Sequence, residues 1–243
     1  MTIIKLNAIG STNDFLKGLY STQQLENFTI VVAENQTEGK GQRGNLWNTE
    51  PHKNLTFSLL IKDSLLPDTS IFDLNIAISL SIIEALEKFK IPQLHIKWPN
   101  DILAEDKKIA GILIENIFAA RQSVSSVIGI GLNVNQTDLK GFPSASSLKN
   151  TTSIEYDKDE LLNAISQQII LNYDLLKNGK VDLLWESYHN YLFMKDKLAV
   201  FEYPDGVQFT GTIIKVLRNG KIQIQLEDLS YIEFELKEIR LIY

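Results

Sequence analysis

Glu34-Asn35-Gln36-Thr37-Glu38-Gly39-Lys40-Gly41-Gln42-Arg43-Gly44-Asn45-Leu46-Trp47 is a polar, glycine-rich stretch. It lies between two apolar runs, Ile30-Val31-Val32-Ala33 and Leu55-Thr56-Phe57-Ser58-Leu59-Leu60-Ile61. Short apolar runs of this kind read as buried strands, so the polar stretch is a loop carried by two core strands. Three glycines in six positions (Gly39, Gly41, Gly44) allow φ > 0 and a close approach of backbone to a ligand. Lys40 and Arg43 add cationic donors among free N–H groups, which suits an anion such as phosphate. The spacing is not that of a Walker loop, and no helix signal follows it. By itself the loop fits a solvated surface connection equally well.

Working outward, Thr2 to Leu6 alternates as a short strand would, and Gly10-Ser11-Thr12-Asn13-Asp14 supplies N-cap residues ahead of Phe15, Leu16, Leu19 and Tyr20 at helical spacing. Ser11 and Thr12 therefore fall at a helix start, either as plain caps or as hydroxyls turned toward a ligand. On the other side, a turn near Pro67-Asp68 leads into a helix from about Ser70 to Phe89, with Ile71, Leu74, Ile78, Ile82, Ala85 and Leu86 on one stripe. Pro92 ends it, and Leu94-His95-Ile96-Lys97 is strand-like.

A second informative stretch follows, Lys97-Trp98-Pro99-Asn100-Asp101-Ile102-Leu103-Ala104-Glu105-Asp106-Lys107-Lys108-Ile109-Ala110-Gly111-Ile112. Leu103 and Ile109 flank a polar tip, which predicts a β-hairpin with Lys108 just past the turn. A lysine on a half-buried strand is better fixed than one on a loop. Taken alone, an ordinary turn at Pro99-Asn100-Asp101 and an ordinary edge charge account for the same residues. The run Ser126 to Asn135 carries Gly129 and Gly131 among β-branched and apolar residues. Glycines there mark a close approach by a ligand or another backbone, and a ligand is the reading favoured here.

A helix from Asp157 to about Lys177 stops at Gly179, and a second runs from about Val181 to Leu192. After Phe193-Met194-Lys195-Asp196, turn signals at Pro204-Asp205-Gly206 and Asn219-Gly220 punctuate four or five short strands, which reads as a small barrel module. The 243 residues suffice for one large domain plus an appendage, and 44% hydrophobic with 22% charged residues is an ordinary globular composition. A net charge of −6 argues against a protein that coats nucleic acid. The absence of cysteine excludes disulfides, thiolate nucleophiles and Cys-ligated zinc. His52, His95 and His189 are too dispersed to suggest a metal site. No apolar segment reads as a membrane span, no leader is evident, and the cytoplasm is the expected location.

Together, Ser11-Thr12-Asn13, Gln36 with Gly39-Lys40-Gly41-Gln42-Arg43-Gly44 and Trp47, Lys97-Trp98-Pro99-Asn100-Asp101, Lys108-x-Ala110-Gly111 and Gly129-Ile130-Gly131-Leu132-Asn133 resemble the biotin–protein ligase family (biotin–[acetyl-CoA-carboxylase] ligases). The resemblance covers the whole chain. It implies an α+β fold, with a mixed sheet and helices in a class II synthetase-like catalytic domain (residues 1–194) and a C-terminal SH3-like β-barrel (residues 195–243). It also implies a two-step reaction: biotin and MgATP give biotinyl-5′-AMP and pyrophosphate, then biotin passes to a lysine of a biotin carboxyl carrier domain.

The residues agree with that chemistry. Two anions must approach each other in a water-poor site, and Lys108, Lys40 and Arg43 can supply the positive charge. Ser11, Thr12 and Gln36 offer neutral partners for a ureido head. The resemblance extends biotin contacts to Asn13, Gly39, Lys40, Gly41, Gln42, Lys108, Gly111, Gly129 and Gly131, and ATP contacts to Lys40, Arg43, Trp47, Asn100 and Asn133. It places Trp47 beside the adenine and has the glycine-rich loop close over the adenylate. Asp101 becomes the guide or proton acceptor for the incoming lysine amine, so Lys108, Arg43 and Asp101 form the expected catalytic set. No metal ligand is assigned, and Mg²⁺ is expected to come with ATP. Gln42 stands where the family often has arginine, so that arginine's role in retaining the adenylate does not simply carry over, and Arg43 next to it is the residue expected to take some of it.

Many bacterial members add an N-terminal winged-helix DNA-binding domain. This chain starts at the catalytic domain, so a ligase that is not a repressor is expected, as monomer or homodimer. The alternatives are a lipoate–protein ligase and a non-catalytic biotin-sensing adaptor. The Lys-Trp-Pro-Asn-Asp block and the barrel favour biotin over lipoate, and Lys108 with the intact loop favours an enzyme.

Overall fold

The seven strands of one sheet and four helices follow from the patterns above. The structure, a computed structural model, describes residues 1–66, 69–118 and 124–243 without the side chain of Arg43. The turn expected at Pro67-Asp68 lies outside the described residues. In chain order come β1 (Ile3–Ile9), α1 (Thr12–Thr22), β2 (Ile30–Gln36), β3 (Leu55–Ile61), α2 (Ile71–Lys88), β4 (Leu94–Lys97), β5 (Asp101–Ala104), β6 (Lys107–Phe118) and β7 (Val124–Leu132). The strands form one mixed sheet in the order β1-β2-β3-β7-β6-β5-β4, with only β1 and β2 parallel. Its register sets Asp101, Gly111, Gly131, Thr56 and Ala33 in one row, and Leu113, Gly129, Ser58 and Val31 in another two residues away on the same face.

That face carries α1 at one end, packed through Leu16 on Val31, Leu60 and Val127. The opposite face is apolar, with Ile30, Phe57, Leu59 and Ile61 against α2. Ser70 and Asp73 form a capping box at the start of α2. The expected single stripe is too narrow. Ile76, Ala77, Leu80 and Ile83 are buried as well, because α2 is sandwiched between the sheet and the later helices, whereas Ile71 is 47% exposed. Ser79 and Ser81 tolerate this burial by donating to the carbonyls one turn back, at 2.8 and 2.6 Å.

The chain continues through α3 (Leu148–Thr152), which the sequence reading did not anticipate, then α4 (Lys158–Lys177) and α5 (Val181–Tyr191). Strands β8 (Leu198–Glu202), β9 (Gln208–Val216), β10 (Ile222–Gln225), β11 (Tyr231–Phe234) and β12 (Arg240–Ile242) make an antiparallel sheet in the order β11-β10-β9-β8-β12. Both predicted hairpin glycines have positive φ, +88° at Gly206 and +85° at Gly220. Phe201, Ile213, Ile222 and Phe234 of this sheet belong to the same apolar cluster as α2 and the first sheet. No helix among the described residues is long and apolar enough to cross a membrane.

His189 on α5 ties the two parts together, since its Nε2 lies 3.1 Å from the Val216 amide nitrogen and 3.0 Å from the Val216 carbonyl. Only one of those bonds can form in a given tautomer. Burial holds the His189 pKa below its ordinary 6.5, while the Val216 and Trp185 backbone groups oppose this and Lys195 and Lys215 reinforce it. A folded pKa below the unfolded one means that the unfolded chain binds more protons. Stability is therefore lost as pH falls through 6.5. The unfolding midpoint is expected to drop between pH 7 and 5.5, and to drop less in His189→Gln. An equal pH dependence in both proteins would contradict this assignment.

Candidate active site

A cavity of about 290 Å³ opens over the glycine-bearing face of the first sheet. It is bounded by the start of α1, the glycine-rich loop, the Lys97–Asp101 segment and residues 239–241 of the second sheet. On the α1 side Ser11 caps the helix, its Oγ accepting from the Asp14 amide at 3.4 Å. Gln36 Oε1 accepts from both the amide and the hydroxyl of Thr12, at 2.8 and 2.9 Å. The Ser58 hydroxyl lies 2.7 Å from Thr12 Oγ1 and 2.5 Å from Asn13 Oδ1. Asn13 Nδ2 donates to Glu115 at 2.7 Å, and Lys17 holds the other Glu115 oxygen at 2.8 Å. This wall is neutral, polar and preorganised, because Thr12, Asn13 and Ser58 are all buried.

The loop is pinned in place. Gly41 N donates to Asn45 O at 2.8 Å and Trp47 N to Gly39 O at 2.9 Å, around a 3₁₀ turn at Gln42–Gly44. Only Gly44 has positive φ, +85°; Gly39 is needed instead because a Cβ there would stand 2.2 Å from the Trp47 carbonyl oxygen. The pinning lays the Trp47 indole across the floor. A Cβ at Gly131 would fall 2.2 Å from the ring, and one at Gly111 would fall 3.3 Å from it. A Cβ at Gly129 would lie 2.5 Å from Asn13 Oδ1. The sheet glycines thus make room for the chain's own Trp47 and Asn13 side chains, a visitor that the reading of a ligand or another backbone at these positions did not include. Trp47 Nε1 is buried without a hydrogen-bond partner among the described residues.

Lys108 stands on β6 as predicted. Its Nζ is 2.6 Å from Asp101 Oδ1, with side-chain exposures of 32% and 19%, and it lies 5.6 Å from the centre of the Trp47 ring. The polar tip Glu105-Asp106 turns through φ of 48° and 63°, and that turn sets Lys108 on the cavity side. Lys40 reaches Asp14 at 2.5 Å. That hydrogen bond, against a smaller opposing effect of burial and with help from Lys17, holds the Asp14 carboxyl below its ordinary 3.8. The Lys108 ammonium, the Asp101 carboxylate, the polar wall and the Trp47 ring therefore share one cavity.

A profile of the Biotin/lipoate A/B protein ligase family matches residues 6–135, from β1 to just past β7. The chain belongs to this family. The bifunctional ligase/repressor BirA of Bacillus subtilis is 32% identical over 168 residues, 66% of this chain and 51% of that protein. The chain thus spans about half the length of that curated relative. The biotin–[acetyl-CoA-carboxylase] ligase of Mycobacterium tuberculosis is 26% identical over 217 residues, covering 88% and 79% of the two chains. Among solved structures, the biotin protein ligase of Aquifex aeolicus in complex with biotin and ATP superposes with a TM-score of 0.81 at 26% identity, over 99% of this chain and 98% of that one. That superposition includes the second sheet, in keeping with the α+β fold and small C-terminal barrel expected of a member of this family.

Of the expected residues, Ser11, Thr12, Asn13, Gln36, Lys40, Gly41, Gln42, Trp47, Asn100, Asp101, Lys108, Gly111, Gly129 and Gly131 line the cavity of this family member. Gly39 and Asn133 are not among the lining residues, and Asn100 lines the cavity with its side-chain amide engaged. Gly39 lies behind the loop, in contact with Trp47 and Gln36. Asn133 spends its amide on the Ser146 carbonyl at 3.0 Å, away from the cavity. Asn100 borders the cavity, but its Nδ2 is committed to the Ile112 carbonyl at 2.7 Å, so it fixes β6 next to Asp101. The Arg43 side chain lies outside the described residues. Sequence reasoning missed Ser58, Glu115, Lys97 and the Ile239–Leu241 rim. Thr56 and Ser58, two polar residues alternating inside an apolar strand, were the available signal for the first of these.

Proposed function

We propose that this chain is an ATP-dependent biotin–protein ligase that forms biotinyl-5′-AMP and passes biotin to a lysine of a carboxyl carrier domain. The observation that carries the reading is the meeting of the Thr12–Gln36–Ser58–Asn13 wall with the Lys108–Asp101 pair in one cavity. A ureido head is uncharged and needs neutral donors and acceptors, whereas its valerate carboxylate needs a cation. Lipoate shares the carboxylate but has no ureido group to satisfy this wall. Likeness to the Aquifex aeolicus enzyme in complex with biotin and ATP supports the same reading. Residues 1–194 would bind both substrates, and residues 195–243 would close the cavity from above.

In the first step a biotin carboxylate oxygen attacks the α-phosphorus, a new P–O bond forms, and pyrophosphate leaves. Lys108 holds carboxylate and phosphate oxygens together, and Lys40, half-exposed on the loop, can leave Asp14 for the phosphates. Trp47 offers its face to the adenine. Asp101 is the only carboxylate lining the cavity among the described residues, and it is paired with Lys108. The chain's own donors therefore suit a Mg²⁺ ion that arrives bound to the triphosphate, where it would neutralise charge. In the second step the acceptor amine attacks the acyl carbon and AMP leaves. Once the adenylate phosphate draws Lys108 away, Asp101 is free to orient the amine and accept its proton.

The test is pyrophosphate release from MgATP with biotin or lipoate supplied in parallel. Release with biotin alone is expected. Release with lipoate alone would move the activity to the other branch of the family, and biotin binding with no release would leave a sensor.

A further inference from the structure

Lys97 and Asp101 face each other directly across the β4–β5 hairpin. Opposite charges in that relation ordinarily pair. Here they do not: Asp101 Oδ1 is held by Lys108 at 2.6 Å, and Lys97 makes no ion pair among the described residues. Its ammonium stands 4.4 Å from the centre of the Tyr243 ring and 3.4 Å from the Tyr243 hydroxyl. The ring is braced edge-on by Phe193 at 5.2 Å, and Phe193 is buried against Ile96 through an amide–carbonyl bond of 2.9 Å. Lys97 lines the cavity together with Arg240. Burial lowers its pKa, Asp101 opposes this, and Lys108 and Arg240 add to it.

We propose that Tyr243 is a positioning residue for Lys97. Its ring holds the ammonium off Asp101, so that Asp101 keeps Lys108 and the Lys97 charge is presented to the phosphates of ATP. The proposal rests on the ligase reading and adds to it a residue from outside the family match, which ends at residue 135. A cation over a tyrosine face is held in place without being neutralised by a carboxylate.

The test compares wild type with Lys97→Met, Tyr243→Leu, Tyr243→Phe and the Lys97→Met/Tyr243→Leu double variant in biotin-dependent pyrophosphate release. Lys97→Met and Tyr243→Leu are each expected to raise the KM for ATP about five- to tenfold with kcat within about twofold. Tyr243→Phe, which keeps the ring, is expected to restore the wild-type KM. The double variant should match Lys97→Met alone, since the tyrosine acts only through that lysine. A Tyr243→Leu effect equally large in the Lys97→Met background would reduce the ring to simple packing and overturn the proposal.

A second readout needs no turnover. After reductive ¹³C-methylation, the Lys97 signal, assigned by its loss in Lys97→Arg, should be ring-shifted in wild type and Tyr243→Phe. It should return to the position of free lysines in Tyr243→Leu, and it should move when ATP is added. A signal insensitive to Tyr243→Leu or to ATP overturns the proposal even if biotin-dependent release is observed. Absence of that release with an ATP-responsive, ring-shifted Lys97 would sink the ligase reading and leave the Tyr243–Lys97 relation standing.

Discussion

Lys108→Ala is expected to slow biotin-dependent pyrophosphate release by about two to three orders of magnitude, the loss typical of one preorganised transition-state donor, or about 2.7–4 kcal/mol. Lys108 is built for that part because β6 fixes its stem and Asp101 holds its head at 2.6 Å. Removal has a second effect, since Asp101 is left without its cation beside the place proposed for the two anionic substrates. Arginine should not rescue it. The Lys108 Nζ meets Asp101 Oδ1 at 2.6 Å as a compact point charge, and the longer, planar guanidinium does not reproduce that placement. Folding should be untouched, because Lys108 is partly exposed. Single-turnover release from MgATP with saturating biotin is the measurement. A loss below about tenfold in either variant would move the catalytic cation elsewhere in the cavity.

Asp73→Ala should cost about 3 kcal/mol of stability, from a lost helix cap of about 1 kcal/mol and an indole N–H left unpaired at about 1–3 kcal/mol. Asp73 is 4% exposed and serves three elements at once. Oδ2 accepts from the Ser70 amide at 2.6 Å, closing the capping box of α2. Oδ1 accepts from Trp185 Nε1 on α5 at 2.5 Å and faces Arg218 of the β9–β10 turn at 3.3 Å. Arg218 also lies 4.8 Å over the Trp185 ring, so one carboxylate fastens the second sheet to the first through α5. For a domain of this size that loss corresponds to an unfolding midpoint lower by about 6–12 °C. Asp73→Asn keeps a capping oxygen and should lose about half as much. Urea unfolding followed by tryptophan fluorescence checks both, and a loss under about 1 kcal/mol in the alanine variant would show that the neighbours close the gap without the carboxylate.

Much of the site could be read from the chain because its parts are local. The cap at Ser11, the hairpin that lifts Lys108 beside Asp101, and the glycine pair on β7 each lie within a few residues of their own signal. What was missed is non-local. Lys97 meets Tyr243, and Trp98 Nε1 donates to Gly220 O at 2.9 Å, through contacts between the two sheets that no spacing within one element encodes. The glycines were recognised as places of close approach, but a sequence cannot tell a ligand from a side chain as the visitor. Trp47 and Asn13 turned out to be the visitors. Asn133, expected beside ATP, sits at the end of a strand whose glycines face the cavity, and its amide nitrogen donates to the Ser146 carbonyl, a contact that no spacing within the strand encodes. The breadth of α2 was underestimated for a related reason. Periodicity assumes one buried side, and this helix has neighbours on two.

Ser58 has one proton and two acceptors, Thr12 Oγ1 and Asn13 Oδ1. When the hydroxyl points to Thr12, the dipoles along Ser58, Thr12 and Gln36 run head to tail. When it points to Asn13, a lone pair on Thr12 is released toward the cavity. The two orders differ by a single bond rotation, with no heavy atom displaced. The wall can thus answer a visiting N–H with a fresh acceptor at almost no cost in reorganisation, so that a rigid binding surface keeps a small, reversible choice of polarity.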